Sequence, residues 1–416
     1  MITPSSYGAL SATSANTIKG NAPTIQNNRL GFKVNGESYS EAIGNINSSV
    51  AKAFDSGLSL SHFTLIDLTN ADYYDADGDI AHPSTPFTTG TKIMKWYDRN
   101  GAEITDTNKM LGCGNNYNLP LKLRIEVKDV VAHSKYGDPR DSAPITLTKE
   151  YLISTTSGIC YIRPASVDWY DVGTGATRSP TQGGGYTADF DPDNGFKANP
   201  TVSSVKFPTT GFAKARFWLK MTGHPLDWNY TVRTDPNRAV TVDTNGMVTI
   251  NKKPTGAITV RATLKSSSSI YFDYTFNPTR LWVTPKKNDA RNSIGQYTYA
   301  KAKTACGRES RITTREQLTN SPLSRLPPAG PNVRNAYTRA IGKLDIGAGA
   351  EPMQESIFSE WGFMSAAHHY TGSLFFEGAY WTRDSPSLGY RYHVGSNYGF
   401  VYWHEESETF YVACLG

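Results

Sequence analysis

No C-x-x-C pair, no apolar run long enough to cross a bilayer and no block of basic charge occurs in these 416 residues. The first absence excludes zinc knuckles and thioredoxin-type motifs, which need two thiolates close together in the chain. The second excludes a membrane-spanning helix, which takes about 20 apolar residues. The opening "MITPSSYGALSATSANT" also lacks the basic end and apolar centre of a signal peptide. The third concerns partners. Net charge is only +5 and Lys and Arg are scattered, so a pair such as Lys286-Lys287 reads as solvated surface. Nucleic acid is not an expected partner.

What is abundant points one way. Glycine (36), tyrosine (24) and proline (23) are frequent while charged residues make up 19%, and Ser/Thr/Asn-rich stretches recur, the composition of a β-protein with short strands and many turns. The length suggests two to four domains. In "NRAVTVDTNGMVTINKKPTGAITVRATLK" (237–265) three runs alternate apolar and polar residues, through Val240 and Val242, Val248 and Ile250, and Ile258 to Leu264. They are separated by Asn245-Gly246 and Pro254-Thr255-Gly256, turn signals that predict an antiparallel sheet. With 215–221, 227–233 and 271–285, about seven short strands form, enough for an immunoglobulin-type sandwich.

The N-terminal region, to about 165, reads as a second sandwich, with strands in 91–105, 119–131 and 143–155 and a helix expected over 38–54. The run 163–190 contains Gly183-Gly184-Gly185 and reads as a linker or a long connection. The C-terminal region opens with an Ala/Lys-rich helix ending at Cys306-Gly307. A capping box at Thr313 and Glu316 predicts a second short helix, and aromatic strands follow in "AYWTRD", "GYRYHVG", "GFVYW" and "FYVACL". Two of the four cysteines, Cys113 and Cys160, fall in the N-terminal region and two, Cys306 and Cys414, in the C-terminal one. Each pair could close a disulfide within its own domain, although four cysteines allow three pairings. An even count in such a β-protein favours an oxidising, extracellular compartment.

Few residues suggest chemistry. His368 and His369 are adjacent, and on a strand adjacent side chains point to opposite faces, so they read as packing or surface residues. "HEESE" starts at His404 like a zinc-protease motif, but no second histidine follows; "GSNYG" (395–399) reads as a hairpin turn. Asp75, Asp77 and Asp79 alternate around Gly78 like the start of a calcium loop, but position 86 is proline where the closing glutamate belongs. A structural calcium and a solvated acidic turn are both open there; no other cofactor is expected, and no catalytic residue.

Two stretches resemble a known family. "VTVDTNGMVTINKKPTGAITVRATLK" resembles the bacterial Ig-like repeats of outer-membrane adhesins, and "DFDPDNGFKANPTVSSVKFPTTGFAKARFWLKMTG" (189–223) resembles a segment of the intimin/invasin-like group. The order "YAKAKTAC…TTREQL…RAIGKL…SEWGFM…YWT…YVAC" is similar to the C-terminal tip domain of those adhesins. The resemblance implies a mainly β protein: an Ig-like sandwich with a short helix over 1–165, a bacterial Ig-like sandwich with its Gly-rich linker over 166–284, and an α+β C-type-lectin-like tip over 285–416. It implies an extracellular adhesin fragment rather than an enzyme, monomeric, anchored through a β-barrel N-terminal to it, with a Cys306–Cys414 bridge closing the tip. A host-cell surface protein is the expected partner, and a calcium-independent glycan the alternative. The lectin-like fold also occurs in formylglycine-generating enzymes, but cysteines at the two ends of the tip suit a bridge rather than that chemistry. Sugar-binding C-type lectins hold calcium with Glu-Pro-Asn and Trp-Asn-Asp; this chain has Met353 after Glu351-Pro352, and His404-Glu405 after Trp403. Trp361 and Trp381 match core positions. Strand parity then leaves Tyr380, Arg383, Arg391, His393, Tyr398, Tyr402 and His404 as the expected receptor-binding residues.

Overall fold

The computed structural model describes residues 19–25, 27–113, 117–156, 158–173, 177–287, 295–323, 333–342 and 355–416. It is mainly β and divides into two compact units. The first comprises the chain to Leu111 and Leu119–Thr156; the second comprises Gly112–Asn118 and Ser157–Gly416. The chain contacts divide at 156/157.

In the first unit the strands run in the order Lys52–Phe54, Ile145–Thr155, Leu121–Ala132, Lys92–Tyr97, Glu103–Ile104. Along the 121–132 strand Leu121, Leu123, Ile125 and Val127 are buried, the period of two that the sequence shows. A three-stranded sheet (Glu37–Tyr39, Phe32–Val34, Thr64–Leu65) lies over this face, with Phe32 5.5 Å from Tyr151. The helix expected over 38–54 does not form. Gly44 turns the chain at φ 81°, and Asn45 bonds the backbone of Ser38 and Ser40 on both sides of its carboxamide. Short polar side chains that bond their own backbone compete with helix, and here they win.

The second unit begins as a sandwich. Six strands run Phe190–Asp191, Gly195–Lys197, Ile159–Pro164, Ala215–Met221, Met247–Ile250, Val240–Val242, and three run Trp228–Thr234, Ile258–Leu264, Tyr271–Phe276. Phe217 of one sheet meets Phe276 of the other at 5.2 Å. A further sheet runs Thr210–Gly211, Leu281–Pro285, Tyr411–Leu415, Ala379–Trp381, Tyr390–Gly395, Val401–Glu405. Its first two strands leave the sandwich and its last four are the aromatic strands of the C-terminal module. Cys306–Cys414 ties helix Tyr299–Ala305 to this sheet, and Trp381 sits beneath, 5.7 Å from Tyr299 and 4.7 Å from Phe410. Cys113–Cys160 closes within the second unit, not within the first sandwich.

The Gly183–Gly185 run is no linker. All three glycines are buried with positive φ (65°, 71°, 73°), and Gly184 N–H donates to Ala336 O while Gly185 O accepts from Arg339 N–H. The second short helix starts one residue late, at Arg315, with Thr314 and Gln317 forming the box. Thr313 is buried, with its N–H and hydroxyl both donating to Ala413 O, so it cannot serve as the cap.

Arg339 and Glu360 are fully buried in this unit. Arg339 donates to four carbonyls, of Ser166, Asp168, Ser359 and Glu360, and stacks 4.4 Å from Phe190. Glu360 accepts from the N–H and hydroxyl of both Thr209 and Thr210 and from Gly342 N–H. Buried charge persists only when so satisfied. These bonds join 339–360 to 166–210 and unite the sandwich with the C-terminal module in a single body.

Candidate binding surface

Among the described strands the outermost one of the last sheet, Val401–Glu405, pairs only with Tyr390–Gly395, with His393 opposite Tyr402 and Arg391 opposite His404. A strand with a neighbour on one side only leaves side chains of both parities in solvent. Tyr402 is 55% and Trp403 49% exposed, and His404 and Glu405 are exposed as well. The Trp403 ring stands edge-on to Tyr390 at 5.3 Å, which fixes its orientation while leaving its outer face free.

Behind this edge the polar residues are held. Arg391 bonds Glu406 at 2.7 Å, pairs with Glu309 at 3.1 Å, donates to Arg383 O and lies 4.4 Å over the Tyr299 ring. Arg383 donates to Ser310 O at 3.1 Å. Tyr398 is half-buried against Tyr170 at 5.5 Å. His393 Nε2 and His404 Nδ1 are 2.7 Å apart, so one ring donates to the other. Burial, and after it His404, hold the His393 imidazole down at about 4.

Of the seven residues expected to face a receptor, the structure brings Tyr402 and His404 together on the open edge, with Arg391, Arg383 and Tyr398 half-buried around them. Tyr380 and His393 are core. Tyr380 is 1% exposed with its hydroxyl bonded to Phe376 N and O, and His393 stacks on Phe410 at 4.3 Å. Parity fails for them because neighbours of both parities, Tyr380 with Trp381 and His393 with Val394, are buried. Trp403 was missed for the converse reason. The run of charge that follows it, His404-Glu405-Glu406, is of the kind that protects edge strands.

Other candidates resolve differently. His368 and His369 lie in a turn at 366–369, not a strand, with His369 3.1 Å from Asp168 and His368 beside Phe363. In the first unit Asp75, Asp77 and Asp79 do not converge. Asp77 accepts from the Asn21 amide groups, which lower its carboxyl pKa, and Asp75 accepts from Asp77 N–H and the Tyr73 hydroxyl. Among the described residues no three His, Cys, Asp or Glu side chains could hold a metal ion. Glu351-Pro352-Met353 lies outside the described residues.

Residues 189–276 match the family model for invasin, domain 4, so this sandwich is invasin domain 4-like, and the stretch coincides with the segment singled out by its resemblance to intimin and invasin. No curated protein matches the chain. Similar solved structures include invasin, described as a bacterial integrin-binding protein, at 13% identity and a TM-score of 0.42, over 94% of this chain and 60% of that one. An intimin mutant of EHEC O157:H7 matches at 16% identity and a TM-score of 0.31, over 52% of this chain and 92% of its own. Intimin in complex with Tir90 matches at 14% and 0.31, over 51% and 89%. The chain thus spans 60% of the length of that invasin structure.

Proposed function

We propose that this chain is an extracellular portion of a bacterial surface adhesin, which binds a host-cell surface protein through its C-terminal module and catalyses nothing. The observation that carries the reading is the Tyr402–Trp403 pair, half exposed on the outer strand of the module fused to the invasin domain 4-like sandwich. Exposed tyrosine and tryptophan on a rigid frame are what binding hot spots are made of, because large rings are ordered at little entropic cost. The module itself reads as C-type-lectin-like: helices early, aromatic strands late, and a disulfide from the first helix to the last strand.

Deleting the module is the wrong test, because strand Leu281–Pro285 lies between Thr210–Gly211 and Tyr411–Leu415 and the cut would open a core. The test is saturable binding of the fluorescently labelled whole chain to epithelial cells, beside Tyr402→Ser/Trp403→Ser. Wild type should bind, lose binding when the cells are treated with protease and keep it after glycosidase. The double variant should bind at least roughly tenfold more weakly. Loss with glycosidase alone would replace the protein receptor with a glycan. Equal binding by the variant would move the site elsewhere.

A further inference from the structure

Among the described residues the open edge of the Val401–Glu405 strand is closed at both ends and without a partner in the middle. In this antiparallel pairing the backbone groups of Val401, Trp403 and Glu405 point away from the neighbouring strand. Gly395 N–H bonds Phe400 O and Glu406 N–H bonds Gly389 O, which sets that alternation. At one end the carboxamide of Asn335 takes the place of a strand: its Nδ2 donates to Val401 O at 2.7 Å and its Oδ1 accepts from Val401 N–H at 2.9 Å. At the other end Glu405 O accepts from Glu408 N–H at 3.1 Å. Between them the N–H and C=O of Trp403 and the N–H of Glu405 have no partner among the described residues.

We propose, on the reading of the preceding subsection, that this gap receives an extended, basic segment of the partner protein as an added β-strand. Exposed edges are templates for pairing unless they are blocked, and among the described residues this one is open only at Trp403 and the Glu405 N–H. A partner residue opposite Trp403 exchanges two backbone hydrogen bonds with it, and a third reaches Glu405 N–H. Charge selects the occupant. Glu405 and Glu408 have no cationic partner among the described residues, while Glu406 is paired with Arg391. Lysine or arginine flanking the partner's strand would meet Glu405 and Glu408. A second copy of this chain does not fit: paired antiparallel about Trp403, it would set Glu405 against Val401, whose backbone Asn335 already closes. Tyr402 and Trp403, on opposite faces, then clasp the side chains of the added strand, which gives selectivity to an otherwise sequence-blind backbone contact.

The experiment separates backbone from side chain using binding of the labelled whole chain to epithelial cells. Trp403→Ala removes the ring; Trp403→Pro removes the ring and the outward N–H, a change edge strands tolerate. Proline should weaken binding roughly tenfold more than alanine does. Glu405→Pro against Glu405→Ala is an independent pair with the same expectation, should the first proline disturb the fold as judged by thermal melting. Glu405→Gln/Glu408→Gln should weaken binding, and added salt should weaken wild type more than this variant. If proline and alanine variants bind alike while wild type binds better than both, recognition runs through side chains and strand addition is wrong, with the host-binding reading intact. If the Gln variant binds more tightly, the partner segment is not basic. If wild type shows no saturable binding to cells, the host-binding reading fails and the strand falls with it.

Discussion

Arg339 and Glu360 meet without pairing. The guanidinium donates to the Glu360 backbone carbonyl at 3.0 Å, while the Glu360 carboxylate faces away toward Thr209, Thr210 and Gly342. Each charge is solvated by backbone and hydroxyl groups of a different chain segment, so the two act as separate rivets between the sandwich and the C-terminal module.

Glu360 gives the first prediction. Burial pushes its carboxyl pKa up, and the hydrogen bonds from Thr209, Thr210 and Gly342 oppose that. Glu360→Gln keeps the shape but turns an NH2 group toward donors. It should cost about 3 kcal/mol of stability in urea unfolding. A neutral result would mean that the acid is protonated in the fold, because glutamine imitates that form.

Gly183 gives the second. It stands at φ 65°, and a Cβ there would collide with the Arg334 carbonyl oxygen. Gly183→Ala should destabilise the protein by about 2 kcal/mol or more, through strain and collision together. A true linker would accept alanine with no change in the melting temperature.

Removal of the second disulfide is the third. Cys306 and Cys414 are 108 positions apart. On the chain-entropy model, Cys306→Ala/Cys414→Ala should lose about 4–5 kcal/mol. Denaturant titration of the variant beside wild type reads this directly, and a loss below about 1 kcal/mol would show that packing around Trp381 holds the ends together by itself.

The fourth concerns pH. His393 titrates at about 4 in the fold against an ordinary 6.5, because burial and His404 disfavour its charge. Between those values the unfolded chain binds a proton that the folded chain refuses. Stability from this residue is therefore complete above pH 6.5 and declines as pH falls toward 4, by about 3 kcal/mol. His393→Phe should flatten that stretch of the stability–pH curve. A variant with the same slope as wild type would assign the dependence to other groups.

The sandwich around 215–285 was legible because alternation, N-G and P-T-G turns agree with one another over seven strands. The strands at 379–415 were legible from their aromatic runs. What could not be read was long-range. Glu360 meets Thr209 across 151 positions, and nothing near it distinguishes a buried glutamate from a solvated one. The glycine triplet misled because the positive φ that lets a linker flex also lets a chain pass through a tight buried gap. Parity expected Tyr402, His404 and His393 all in solvent, yet His393 is buried, since alternation says which side chains share a face but not whether another element covers it. Thr313 lost its capping role to a carbonyl of Ala413, nearly the whole length of the module away in sequence.

The parallel contact of Thr210–Gly211 with Leu281–Trp282, followed by the antiparallel contact of Val283–Pro285 with Ala413–Leu415, makes a ladder of backbone bonds from the sandwich into the sheet that ends at Trp403. For a molecule tethered at one end and pulled at the other, that ladder is a tendon. A tug on the outer strand is shared among rows of hydrogen bonds and the Cys306–Cys414 clasp, and passes into the sandwich through paired strands.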